Sequence, residues 1–418
     1  MNPYGVIVLS TLLVEYVLHL LANVLNIKSL RPDVPEEFQG VFDPDAYRKS
    51  QNYTKTVTTF SNITSTFNLI LILSFWFAGG FNRLDVVIRS LNMGFLFSGL
   101  IYIGSLVFLQ ALVSLPFRIY SIFVIEERFG FNKTTRRIFI LDLIKEALLT
   151  ILLGGPLIAG LLVIFYNIGA GGWLLCWLLS IVFILFIQYI APTWIMPLFN
   201  KFTPLEEGEL KQAILSYANS VRFPLKGVFS MDGSKRSTKT NAFFTGFGKQ
   251  KRIALFDTLI NKHTIDELVA ILAHEIGHYK KHHIIKGMIF TIIHTGVIFF
   301  LMSLFIGNQG LFDSFYIENV SAYVSLVLFM LLYSPVELIV GIFSQLISRK
   351  HEYEADRFAE ETITHPESMI AALKKLSVDN LSNLTPHPFY VFLNYSHPPV
   401  LERIKAMKHS NFDKVSKV

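Results

Sequence analysis

Apolar and polar stretches alternate along nearly the whole chain. Seven apolar runs lie at about residues 4–25, 61–80, 93–115, 139–166, 173–195, 287–306 and 320–347. Each reaches about the 20 residues that carry a helix across a hydrocarbon layer of about 30 Å. The first run is too long, and too lightly flanked by positive charge, for a cleaved signal peptide. The fourth is interrupted by Gly154-Gly155-Pro156, and Pro44-Asp45-Ala46-Tyr47 marks a helix start in the polar stretch before the second. The pattern predicts an all-α polytopic membrane protein with seven transmembrane helices. It divides the chain into a membrane region at 1–198 with helices one to five, a polar region at 199–286, helices six and seven at 287–347, and a polar segment with the C-terminal tail at 348–418. No internal repeat or low-complexity segment interrupts this order.

Composition agrees. A chain of 418 residues has the length of two or three soluble domains, but 52% of it is hydrophobic and 16% charged, against about 25% charged in soluble domains. The lone Cys176 permits no intrachain disulfide and no cysteine-rich metal site. The net charge of +6 is no nucleic-acid signal, because the basic residues follow the spans: 34 of the 37 Lys and Arg fall in alternate loops on one side and 2 on the other, with Lys145 inside a span. By the positive-inside rule the N-terminus is outside, and 199–286 and the tail are cytoplasmic. Within or near the spans lie Glu15, His19, Asp142, Lys145, Glu146, His294 and Glu337. Such groups seldom face lipid, and two readings stand: interhelical pairs, such as Asp142 or Glu146 with neighbours of Lys145, or a wet cavity.

The candidate chemistry sits in the polar region. His274-Glu275-Ile276-Gly277-His278 reads H-E-x-x-H. On a helix, positions i and i+4 share a face, so His274 and His278 can offer two imidazole nitrogens to one ion, with Glu275 beside it as a base. Zinc suits that offer. The helix itself is expected from the capping-box spacing Thr264-Ile265-Asp266-Glu267 and from Leu268, Ile271, Leu272 and Ile276 at helical intervals. Gly277 leaves room for a close approach.

A catalytic zinc needs three protein ligands and an open position. A metzincin would place its third histidine at 284, which is Ile284. His282 is one turn too far for the same ion, and His282 and His283 read as solvated or interfacial. The better candidate follows the seventh span, where Glu352 and Asp356 share a helix face. A Glu on a second helix completes a gluzincin set, and Asp356 could hold the far nitrogen of a ligating histidine.

H-E-x-x-H joined to Glu352-Tyr353-Glu354-Ala355-Asp356 resembles the M48 metalloproteases. Phe123-Val124-Ile125-Glu126-Glu127-Arg128-Phe129-Gly130-Phe131-Asn132-Lys133 is similar to the loop signature of the Ste24-type CAAX prenyl endopeptidases. So are Thr240-Asn241-Ala242-Phe243-Phe244, Leu255-Phe256-Asp257-Thr258-Leu259 and Tyr395-Ser396-His397-Pro398-Pro399 followed by Arg403. The resemblance covers nearly the whole chain. It implies seven transmembrane helices around a large water-filled chamber, capped by a mainly α gluzincin domain with a small β-sheet. It also implies Glu352, not Glu354, as the third zinc ligand, His397 and Arg403 near metal and substrate, and an edge strand in which Asn241 and Ala242 pair with the peptide.

The expected activity is zinc endopeptidase cleavage, with one Zn2+ ion, Glu275 as base, His397 as oxyanion donor, and a peptide or prenylated protein C-terminus as substrate. The lipid bilayer is the other partner, and nucleic acid is not one. Two alternatives are a quality-control protease of the HtpX-like branch and a transporter with a structural zinc. The tail Asp413-Lys414-Val415-Ser416-Lys417-Val418 lacks a dilysine retrieval signal, and the chain is compact for a eukaryotic member. Both favour a bacterial inner membrane, with the endoplasmic reticulum as the alternative.

Overall fold

The computed structural model describes residues 1–245 and 251–415; Ser416, Lys417 and Val418, the end of the tail considered above for a retrieval signal, lie outside the described residues. Among the described residues, six helical stretches are long and apolar enough to cross a membrane: Pro3–Lys28, Pro44–Phe77, Gly94–Glu126, Arg136–Phe199, His283–Phe305 and Ala322–Thr362. The fourth accounts for the difference from the seven expected. Its 64 residues would extend about 96 Å if straight, three times the hydrocarbon thickness. The chain instead turns at Gly169–Gly172, where Gly169 has φ 66°, and Gly155–Ile168 packs against Trp173–Ile190. The Cys176 thiol lies 3.9 Å from the Leu161 carbonyl. This one stretch therefore supplies two of the expected crossings.

Two of the helices outrun the bilayer. Pro44–Phe77 starts where the Asp43 carboxylate accepts from the backbone N–H groups of Asp45 and Ala46 at 3.0 and 3.1 Å, with Pro44 pre-set for the first turn. Ala322–Thr362 runs 41 residues, about 61 Å. The polar segment that follows the seventh apolar run is thus a continuation of the same rod.

The apolar core of the membrane region is confined to the end away from the polar domain. There Trp76, Tyr102, Leu162, Phe312, Phe315 and Phe329 are buried together. Trp76 stacks on Phe315 at 4.5 Å and donates to the Ser314 carbonyl at 2.8 Å. Each apolar window buries 6–28% of its residues within the protein, leaving the larger share of the spans on the outer surface. The intramembrane charges divide between the two readings. Asp142 takes two bonds from Arg236 at 2.8 and 3.0 Å, and Glu146 takes two from Arg118 at 2.5 and 2.7 Å. Glu15, His19 and Glu337 line a cavity of about 350 Å³ between the first and last spanning helices, and Glu337 also lies 3.4 Å from His294 Nε2.

The polar domain has a four-stranded sheet of β1 (Phe202–Pro204), β2 (Leu225–Met231), β3 (Ala242–Thr245) and β4 (Lys251–Phe256), in the order β1-β2-β4-β3. β2 and β4 are parallel; the other pairs are antiparallel, and β3 is an edge strand. The sheet, the helix Glu209–Ser220 and the motif helix Ile265–Lys280 share one core, which includes Ile214, Val228, Leu255, Leu268, Leu272 and Ile276. The Glu-Glu-Arg-Phe-Gly-Phe-Asn-Lys loop joins this domain to the membrane region. Glu126 accepts from the Tyr53 hydroxyl at 2.6 Å and pairs with Lys239 at 3.0 Å, and Asn132 bridges to Ser237.

Candidate metal centre

The motif helix forms as its sequence requires. Thr264 accepts from the Glu267 N–H at 3.3 Å while the Glu267 carboxylate takes the Thr264 N–H at 3.0 Å, a closed capping box. The helix packs against the long helix Ala322–Thr362. Gly277 sets how closely: a Cβ there would stand 3.0 Å from the Cα and the carbonyl oxygen of Ala355. The close approach anticipated at Gly277 is to another helix, and that contact brings Glu352 opposite His274 and His278.

Three donor atoms converge. The Nε2 atoms of His274 and His278 are 3.1 Å apart. Glu352 Oε2 lies 3.4 Å from the first and Oε1 3.3 Å from the second. A tetrahedral ion with bonds of about 2.0–2.2 Å separates its ligand atoms by roughly 3.3–3.6 Å, so the spacing fits a metal. The hydrogen bonding fits too. Asp356 Oδ1 lies 2.8 Å from His274 Nδ1, which places the ring proton on that nitrogen and leaves the Nε2 lone pair facing the other donors. Glu352 is 3% exposed, and its Oε2 has no hydrogen-bond partner among the described residues. Lone pairs and a carboxylate this close repel unless a cation lies between them.

Arg403 closes the arrangement from behind. It donates to Asp356 through Nε at 2.7 Å and Nη2 at 2.5 Å, and its Nη1 is 3.5 Å from Glu352 Oε2. Its position follows from Pro398-Pro399: the Pro399 carbonyl accepts from the Arg403 N–H at 3.1 Å, so the prolines start the helix Val400–Val415 and Arg403 sits one turn inside it. His397 stands just before that start, exposed, with Nε2 3.4 Å from Glu352 Oε1. Glu275 is half-buried on the motif helix. Burial pushes its carboxyl above the ordinary value, while His274 and His278 pull the other way. Asn241 and Ala242 belong to the free edge of the sheet: Ala242 pairs with Leu255, and the Asn241 carbonyl accepts from the Phe256 N–H at 3.2 Å.

One expectation needs correcting. His282 is exposed, as a solvated residue should be, but His283 is buried and its Nδ1 lies 3.1 Å from His278 Nδ1. The motif helix ends at Lys280 and His282 takes φ 59°, so His283 is not where a continuous helix would put it. A further residue gave no signal in the sequence. Arg349 Nη1 donates to the carbonyls of Val391 at 3.0 Å and Tyr395 at 2.5 Å, fixing the segment that leads to His397.

Donors carried on two helices, H-E-x-x-H on one and a glutamate on the other, are the gluzincin arrangement, and here the second helix is one of the spanning helices. Such a molecule is a membrane-embedded metallopeptidase. Comparison with known proteins gives the family. The description "CAAX prenyl protease N-terminal, five membrane helices" matches residues 23–201, and "Peptidase family M48" matches residues 204–411. The chain is 37% identical to CAAX prenyl protease 1 of Saccharomyces cerevisiae, over 90% of this chain and 88% of that one. It is 34% identical to the CAAX prenyl protease 1 homolog of Oryza sativa, over 99% of each. The crystal structure of S. mikatae Ste24p superposes with a TM-score of 0.90 at 35% identity, covering 97% of this chain and 99% of that one. The chain belongs to peptidase family M48 and is a multi-pass membrane metalloendopeptidase.

Proposed function

We propose that the protein cleaves the C-terminal peptides of prenylated CAAX-type proteins, with one zinc ion held by His274, His278 and Glu352. The observation that carries the reading is the convergence of those three donors within 4.8 Å of one another where the long helix leaves the membrane. Zinc, when bound, acts as a Lewis acid and makes water a stronger nucleophile at neutral pH. The chain's own residues do the rest. Glu275 takes the proton of the attacking water and hands it to the leaving amine. His397 donates a hydrogen bond to the oxygen of the scissile carbonyl as it gains charge. Asp356 and Arg403 hold His274 and Glu352 in place. The β3 edge at Asn241 and Ala242 offers main-chain hydrogen bonds to an extended peptide.

The substrate class is supported by the names of the yeast and rice relatives. The positive-inside pattern supports a cytoplasmic active site, with a protease domain formed from 199–286 and 348–418 around the helix pair at 287–347. The compact length is shared with the rice relative, so it no longer favours a bacterial inner membrane over the endoplasmic reticulum. The test is to incubate purified protein with a farnesylated CAAX peptide, with and without chelator, and identify products by mass spectrometry. Release of the C-terminal tripeptide that chelator abolishes is the expected result; an intact peptide under both conditions overturns the substrate assignment.

A further inference from the structure

A histidine that gives its Nε2 lone pair to a metal must carry its proton on Nδ1, and something must accept that proton. For His274 the acceptor is Asp356. For His278, among the described residues, no carboxylate pairs with Nδ1; the group there is the ring of His283, with the two Nδ1 atoms 3.1 Å apart. The other nitrogen of His283 lies 3.0 Å from Glu354 Oε2. His283 is held firmly: its side chain is 4% exposed, and its ring lies flat on His351 at 3.9 Å with an interplanar angle of 12°.

The backbone is arranged for this contact. On an unbroken helix, a residue five places after His278 would point about 140° away from it. The break after Lys280 returns His283 to the same side, through His282 at φ 59°. That left-handed conformation is one that histidine, unlike glycine, adopts at a cost, and such strain concentrates at functional sites.

We propose that His283 and Glu354 are positioning residues for His278. Glu354 accepts the Nε2–H of His283. This leaves His283 Nδ1 as an acceptor for the Nδ1–H of His278, and so leaves the His278 Nε2 lone pair directed at the metal centre. The two histidines of the motif are thus oriented by different devices, one by a carboxylate in direct contact and the other by a carboxylate acting through an imidazole. The inference rests on the metal-centre reading above.

The test measures zinc affinity of the full-length, detergent-purified protein by competition with a chelator of known affinity. His283→Leu keeps the volume and removes the acceptor; His283→Asn restores an acceptor close to the Nδ1 position. The leucine variant should bind zinc ~10–100-fold more weakly, the asparagine variant should recover most of that loss, and Glu354→Ala should weaken binding in the same direction. Zinc affinity within threefold of the parent in a folded His283→Leu variant overturns the relay. If that variant cannot be purified folded, unchanged affinity in Glu354→Ala, a residue one-third exposed, overturns it instead. A parent chain that binds no zinc fails at the metal centre itself; a parent that binds zinc as tightly as its variants fails only at the relay.

Discussion

The two ends of this molecule are held together by opposite means. The far end of the membrane region is an apolar plug, with Trp76, Phe312 and Phe315 at most 1% exposed and few hydrogen bonds among them. The metal centre is nearly as well buried, yet almost every group in it is polar: Glu352, Asp356 and Arg403 are 3%, 3% and 9% exposed. In the plug, neighbours are interchangeable as long as the volume is filled. In the centre each group has a partner with a fixed geometry, and removing one leaves another buried and unpaired. Substitutions at the plug should therefore cost stability alone, and substitutions at the centre should cost chemistry, with or without stability.

The sharpest contrast comes from the motif itself. His274→Ala should lose the metal by elemental analysis, while Glu275→Gln should keep it and slow peptide cleavage by about 10²–10⁴-fold. A Glu275→Gln protein that turns over normally would refute its assignment as the base. Arg403→Ala comes next, because it leaves Asp356 and Glu352 without their shared cation. It should destabilise the domain by about 3–5 kcal/mol and weaken metal binding, both read by melting with and without chelator. Phe315→Ala should cost stability alone. In a water-soluble core the cavity would cost about 3–5 kcal/mol, and in a bilayer, where packing alone drives association, somewhat less. Its melting temperature should fall while the metal content of the folded protein stays at the parent value. Metal loss here would mean that the plug and the centre are coupled.

The smallest effect is a pH dependence. His263 is 8% exposed, with Nδ1 3.1 Å from Glu267 and Nε2 3.8 Å from Asp379. Burial holds its pKa below the ordinary 6.5, outweighing the Glu267 carboxylate, which pulls it up. The unfolded chain then binds the proton more readily than the folded one, so stability rises with pH up to about 6.5 and is lost as pH falls below it. The melting temperature should drop between pH 7 and pH 5.5, and His263→Gln should flatten that drop.

Much of this was legible in the sequence because it is encoded locally. Hydropathy marks each span within its own 20 residues. The capping box at Thr264 and the apolar spacing after it define the motif helix without reference to anything else. His274 and His278 share a face because a helix has 3.6 residues per turn. Glu352 and Asp356 were found by the same rule, and the family resemblance pointed to the glutamate that the structure sets against the histidines. The division between paired and cavity-lining intramembrane charges was not legible, since Arg118 and Arg236 are far from Glu146 and Asp142 along the chain. His283 was misread for a related reason: helical periodicity holds only while the helix continues, and one left-handed residue at His282 cancels it.

The sequence by itself thus determined the number of the crossings, the motif helix and the chemical types gathered for the reaction, because each depends on residues within a turn or a span of one another. Only the tertiary structure decided that the long helix continues unbroken from the membrane to Thr362, that Gly277 lets it approach closely enough for Glu352 to face two histidines, and that His283 turns back onto His278. Those outcomes depend on how separate segments pack, and packing between distant segments is a property of the whole chain that no local pattern carries.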